Sequence, residues 1–205
     1  LLPLTVLLFC QAAKEAKNLD SQARRQKDLN IITVFNTSRR LWLYQQTHPN
    51  VFTDNELGTN VQFSQNCTFI KKINITDTMF HFWKKMDFDG EMVENHLLGE
   101  FVSNKQGPPV SMNVSDLSGT EHSQFENMKL GYTSNGCSVF IITPFEADDK
   151  EDTGAPSSPP ECEMYIRNSA DTNLPDKNCK KFFRKNCKNE VHILYKRSCG
   201  NFLKN

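Results

Sequence analysis

The chain has 205 residues, with 24 basic and 24 acidic side chains, 15 phenylalanines, 7 cysteines and 38% hydrophobic content. This length suits a single domain, and the composition excludes collagen-like, coiled-coil and transmembrane classes. A formal charge of zero supplies no global field for phosphates, so nucleic acid is not an expected partner.

The first element is the uncharged run Leu1 to Phe9, which contains five leucines and is followed by Cys10-Gln11-Ala12. It reads as the apolar core and cleavage site of a secretory signal peptide over residues 1–12, too short to span a bilayer. The initiating methionine and basic leader are missing, so the sequence is read as truncated at its start. Cleavage after Ala12 removes Cys10 and leaves six cysteines, Cys67, Cys137, Cys162, Cys179, Cys187 and Cys199. Six in an oxidising compartment predict three disulfides, with about fifteen connectivities open. Glycosylation acceptors at Asn36, Asn66, Asn74 and Asn113 agree with export. The expected mature protein is one domain over residues 13–205, secreted, monomeric and not bound to a membrane.

Residues 13–30 carry a thin apolar stripe (Leu19, Ala23, Leu29) and predict a short helix lying on another element. From Arg40 the period becomes two, with Arg40, Trp42 and Tyr44 on one face and Leu41, Leu43 and Gln45 on the other. His48-Pro49-Asn50 and Asp54-Asn55 mark a loop. Further strands are predicted over 61–75, 79–88, 96–103, 110–114, 125–133 and 137–143. The second of these places Phe80, Phe82, Lys84, Met86 and Phe88 on one face, and Asp89-Gly90 after it signals a hairpin. Strands at such short intervals with tight turns indicate an antiparallel sandwich or an up-and-down barrel.

Glu146 to Glu161 holds six acidic residues, one lysine and three prolines. It predicts a mobile loop, because nothing in it can offset its ordering entropy by burial. A calcium site is the alternative, but the alternating ligand spacing and the glycine are missing. Cys162 to Arg167 is the next strand. Asp176 to Cys187 predicts a helix with Cys179, Phe183 and Cys187 on one face and Lys180, Lys181, Arg184, Lys185 and Lys188 covering the rest. That basic cover reads as a solvated outer face, with sulfated glycan or anionic lipid as the alternative. Residues 191–195 form a closing strand. A helix packed outside an antiparallel barrel and stapled by two cystines is the simplest architecture.

Chemistry-bearing motifs are scarce. The histidines lack metal-ligand spacing, and no Cys-x-x-Cys pair, nucleophile elbow or phosphate loop occurs. No enzyme, metal or cofactor is expected.

The segment Arg40 to His48, with Trp42 leading to Thr47-His48, resembles the first barrel strand of the tick salivary lipocalins, the histamine-binding protein family. His48 stands where that family carries tyrosine. Asn66-Cys67-Thr68, Cys137-Ser138-Val139 and Cys162-Glu163-Met164-Tyr165 resemble its later strand motifs, and Cys179, Cys187 and Cys199 complete the order. The resemblance covers about residues 20–200. It implies an all-β, eight-stranded up-and-down barrel with a short N-terminal helix and a C-terminal helix on the wall. It also implies the pairs Cys67–Cys199, Cys137–Cys179 and Cys162–Cys187.

Its functional implication is sequestration of host mediators, chiefly histamine or serotonin. Leukotriene-type or fatty-acid lipids, or a host plasma protein such as a complement component, are the alternatives. An amine needs a desolvated carboxylate and aromatic walls. Glu163 matches the acidic residue of amine-binding members, Tyr165 lies beside it, and Trp42, Tyr44, Phe80, Phe82 and Phe140 are the candidate walls. For a lipid carboxylate the candidate cation is Lys84.

Overall fold

The structure, a computed structural model, describes residues 29–202 except 55–60, 106, 120–121, 135, 146–160 and 168–173. The signal peptide expected over 1–12, nearly all of the helix expected over 13–30 and nearly all of the mobile loop expected over 146–161 therefore lie outside the described residues. Residues 29 and 30 are not helical. A short helix, α1 (Ile31–Phe35), follows them, with Asn30 capping it by accepting a hydrogen bond from Ile32 N.

Ten strands follow: β1 (Leu41–Gln46), β2 (Val51–Asp54), β3 (Val61–Ile75), β4 (Met79–Phe88), β5 (Glu91–Phe101), β6 (Ser111–Asp116), β7 (Gln124–Ser134), β8 (Cys137–Pro144), β9 (Glu161–Arg167) and β10 (His192–Ile193). Helix α2 (Lys177–Asn186) lies between β9 and β10, and α3 (Cys199–Phe202) follows β10. Strands β3 to β9 pair antiparallel in sequence order, and β1 bridges β9 and β3, which closes an eight-stranded up-and-down barrel. β2 and β10 are outriggers on β3 and β1. The loop expected after His48 is in part β2, a strand hidden in the sequence by the turn residues on either side of it.

The Asp89-Gly90 hairpin is a two-residue turn between paired Phe88 and Glu91, with φ of 51° and 91°. Both central residues at positive φ match the primed turn that fits strand twist. This turn lets β5 begin at Glu91, five residues before the expected start. Gly99, on β5, faces Met112 so closely that a Cβ there would collide with its thioether.

Two apolar layers result. The barrel interior contains Leu41, Leu43, Ile70, Phe80, Phe82, Leu97, Met112, Val114, Leu130, Phe140 and Tyr165, joined by Ile31, Val34 and Phe35 of α1. The outer layer contains Trp42, Phe69, Val139, Met164, Ile166 and Phe183 together with all six cysteines. Helix α1 plugs one end of the barrel: Phe35 stacks on Phe80 at 4.6 Å and on Phe140 at 5.3 Å. A five-residue helix is too short to persist alone, so this packing is what maintains it.

Helix α2 lies on the wall, with Cys179 and Phe183 buried. The disulfides join Cys67 to Cys199, Cys137 to Cys179 and Cys162 to Cys187, the same pairs that the resemblance implies. Asp176 caps α2 by accepting from the amides of Asn178 and Cys179 at 2.8 and 2.9 Å. Asp176→Ala is expected to lower stability by about 1 kcal/mol in urea unfolding, the usual cost of a lost N-cap. Among the sequon asparagines, Asn36 and Asn74 are exposed and Asn66 and Asn113 half-buried.

Candidate functional site

Alternation along β4 turns Phe80, Phe82, Lys84 and Met86 to the inside, and along β9 it turns Glu163 and Tyr165 inward. These strands are not neighbours in the sheet, so their side chains meet across the lumen. Lys84 Nζ donates to Glu163 Oε1 at 3.0 Å, and the Tyr165 hydroxyl donates to Glu163 Oε2 at 2.8 Å. Glu163 is only 2% exposed. His48, from the loop after β1, approaches the same carboxylate with Nε2 at 3.9 Å and Glu161 with Nδ1 at 3.5 Å. Gln46 organises that loop, its side-chain amide donating to the carbonyls of His48 and Pro49.

The charges respond to this crowding. Burial alone would raise the Glu163 carboxyl, but Lys84, His48 and the hydrogen bond from Tyr165 outweigh it and hold the group below its ordinary value. Burial likewise opposes the Lys84 ammonium, and Glu163 with Glu126 overcomes that and raises it. Tyr165 is pushed well above the phenol range by burial and by Glu163. His48 is lowered, chiefly by burial. Glu126, on β7, is pushed up to about 7, mainly by burial and against the pull of Lys84.

Above this cluster lies a cavity of about 560 Å³. Its polar lining is His48, Gln65, Lys84, Asn95 and Asp116, and its apolar lining is Phe52, Met86, Phe88, Leu97 and Phe125. It sits at the Asp89-Gly90 end of the barrel, opposite the α1 plug, and its volume is that of an ordinary small-ligand site.

The structure thus brings together three of the sequence candidates, Lys84, Glu163 and Tyr165. Phe80, Phe82 and Phe140 point inward as expected but belong to the plugged half, where Phe35 fills the space between them; none lines the cavity. Trp42 and Tyr44 are corrected outright. They face outward: Trp42 packs on Phe69 at 4.8 Å and Tyr195 at 5.4 Å, and Tyr44 lies beside Tyr195 and Lys180. Both faces of β1 are covered, one by the lumen and one by the C-terminal segment, so both are apolar and alternation carries no sign.

Sequence reasoning passed over His48, Asp116, Glu126 and the aromatic rim of Phe52, Phe88 and Phe125. A signal existed for Glu126, which shares its face with Met128 and Leu130. A charged residue in step with an apolar face is the pattern that also marks Lys84.

A closed eight-stranded barrel, plugged at one end, cavitied at the other and braced by a wall helix, is a lipocalin-type barrel. It shares this fold with the crystal structure of the AM182 serotonin complex, with a TM-score of 0.52 at 13% identity over 83% of this chain and 92% of that one. A second structure, Japanin from Rhipicephalus appendiculatus bound to cholesterol, aligns with a TM-score of 0.45 at 12% identity, covering 80% of this chain and 97% of that one. No family model and no curated protein matches the chain.

Proposed function

We propose that this protein is a secreted scavenger of small-molecule mediators, of the tick salivary lipocalin type, whose ligand is a biogenic amine such as histamine or serotonin. The observation that carries this reading is the charge of the site. Asp116 lines the cavity and Glu126, Glu161 and Glu163 gather around Lys84 and His48, an excess of carboxylates over cations in which Glu163 is buried. Lys84 is engaged by Glu163, so an incoming ammonium is received by Asp116 and Glu126, under the faces of Phe52, Phe88 and Phe125. The same ion pair argues against a lipid carboxylate, whose natural partner would be Lys84. The three disulfides, the leader-like N-terminus and the sequons support an extracellular setting.

Calorimetry with histamine, serotonin and arachidonate on the secreted protein tests the reading. Saturable binding of an amine is the expected result. Binding of arachidonate with silence from both amines would overturn it.

A pH dependence accompanies the proposal. Glu126 titrates near 7 with Lys84, Glu163 and Glu161 facing it, and a bound ammonium favours its ionised form. Amine affinity is therefore expected to rise from about pH 6 to about pH 8, with a proton released on binding below about pH 7. Titrations in buffers of different ionisation enthalpy measure that proton, and Glu126→Gln is expected to flatten the profile.

A further inference from the structure

Helix α2 carries five basic residues and no acidic one among its ten. At 3.6 residues per turn, Lys177, Lys181, Arg184 and Lys185 fall within about 100° of arc and along about 12 Å of axis. All four are exposed, opposite the buried Cys179 and Phe183. Lys188, just past the helix, is exposed as well. Among the described residues, no carboxylate stands within ion-pair distance of any of them.

The cationic surface continues onto the wall. Lys180 Nζ lies 5.9 Å from the centroid of the Tyr44 ring, whose neighbour at 6.4 Å is Tyr195. The charge of Arg197 acts in turn on the Tyr195 hydroxyl.

This arrangement works against the helix that bears it. Lys177 with Lys181, and Lys181 with Lys185, are like-charged pairs at i, i+4, and both are locally destabilising. The helix is maintained instead by the Asp176 cap, by burial of Phe183 and by disulfides from Cys179 and Cys187 to the barrel. A rigid row of like charges with no ion-pair partner among the described residues is a surface suited to an external polyanion.

We propose that the exposed face of α2 is a binding site for a sulfated polysaccharide. The row consists mainly of lysines, point charges that suit a chain of sulfates without demanding bidentate geometry. A membrane surface fits less well, because the apolar residues of α2 face the wall: Cys179 and Phe183 are buried, and Phe182 stacks on Tyr132 at 5.2 Å. Interfacial helices need an apolar face to insert. The site is on the outer wall and does not depend on what the cavity holds.

The test is heparin affinity of the intact, disulfide-bonded protein at about 0.15 M NaCl, a salt level at which non-specific contacts are weakened. Wild type is expected to be retained. Lys181→Glu with Lys185→Glu is expected to weaken binding at least about tenfold, since polyanion affinity follows the number of charges neutralised. Lys71→Glu with Lys105→Glu makes the same charge change on β3 and on the β5–β6 loop, and is expected to leave binding nearly intact. Near-UV circular dichroism checks that both variants are folded.

No retention of wild type would overturn the proposal. So would equal loss in the two variants, which would reduce the effect to net charge. Equal binding of desulfated heparin, or tighter binding to phosphatidylserine-rich vesicles, would overturn it too. None of these readouts involves an amine, so the proposal stands or falls apart from the cavity's ligand.

Discussion

Lys84→Met is expected to lower the free energy of unfolding by about 3–5 kcal/mol, the usual cost of removing one partner from a buried ion pair. Glu163 is 2% exposed, and without Lys84 it keeps, among the described residues, only the hydroxyl of Tyr165 at hydrogen-bond distance and His48 at 3.9 Å. The loss comes from a stranded carboxylate rather than from packing, so Lys84→Met with Glu163→Gln is expected to regain much of it. A small alkylammonium salt is expected to raise the melting temperature of Lys84→Met more than that of the wild type, by occupying the vacated place. Thermal and urea unfolding of the three proteins checks both effects, and a double variant no more stable than Lys84→Met would rule out this account.

The pH dependence of the pair follows from its shifts. Glu163 lies below its ordinary value, so its contribution is present above the unfolded carboxyl pKa and is lost as pH falls through the folded one. Lys84 lies above its ordinary value, so its contribution is present below the unfolded ammonium pKa and is lost as pH rises through the folded one. Stability owed to the pair is therefore level across neutral pH and fails only in strong acid or strong base.

Replacing Cys67 and Cys199 together by alanine is expected to destabilise the protein more than replacing Cys162 and Cys187 together. The bridge spans a sequence separation of 132, and the chain-entropy account assigns about 5 kcal/mol to a loop of that size. Cys162–Cys187 spans only 25 and is assigned about 3.5 kcal/mol on the same footing. Cys67–Cys199 is also what ties the C-terminal segment, with Leu194 and α3, across β1 to β3. Urea unfolding of the two double variants, each prepared with its remaining bridges oxidised, gives the ranking. The reverse order would show native-state strain, rather than freedom of the unfolded chain, to dominate.

Much of this molecule was legible beforehand because its signals are local. The Asp89-Gly90 turn, the inward row of Phe80, Phe82, Lys84 and Met86, and the α2 face of Cys179 and Phe183 each follow from spacing within a few residues. The outline of the site was less so. Glu163 and Lys84 were opposing candidates for two different ligands, one for an amine and one for a lipid. In the folded chain they are partners, 79 residues apart in sequence and 3.0 Å apart in space. Periodicity assigns a residue to a face, but it does not say which other strand that face will meet.

The sequence by itself determined the barrel's strands, the wall helix and the separation of a basic helix from an acidic segment, because hydrophobic period and turn chemistry act over short spans. Only the tertiary structure decided which aromatics surround a cavity and which fill a plug. That depended on Phe35 entering one end of the barrel and on the C-terminal segment covering β1. Ring closure sets both contacts, and no local pattern encodes which distant segment will occupy a given face.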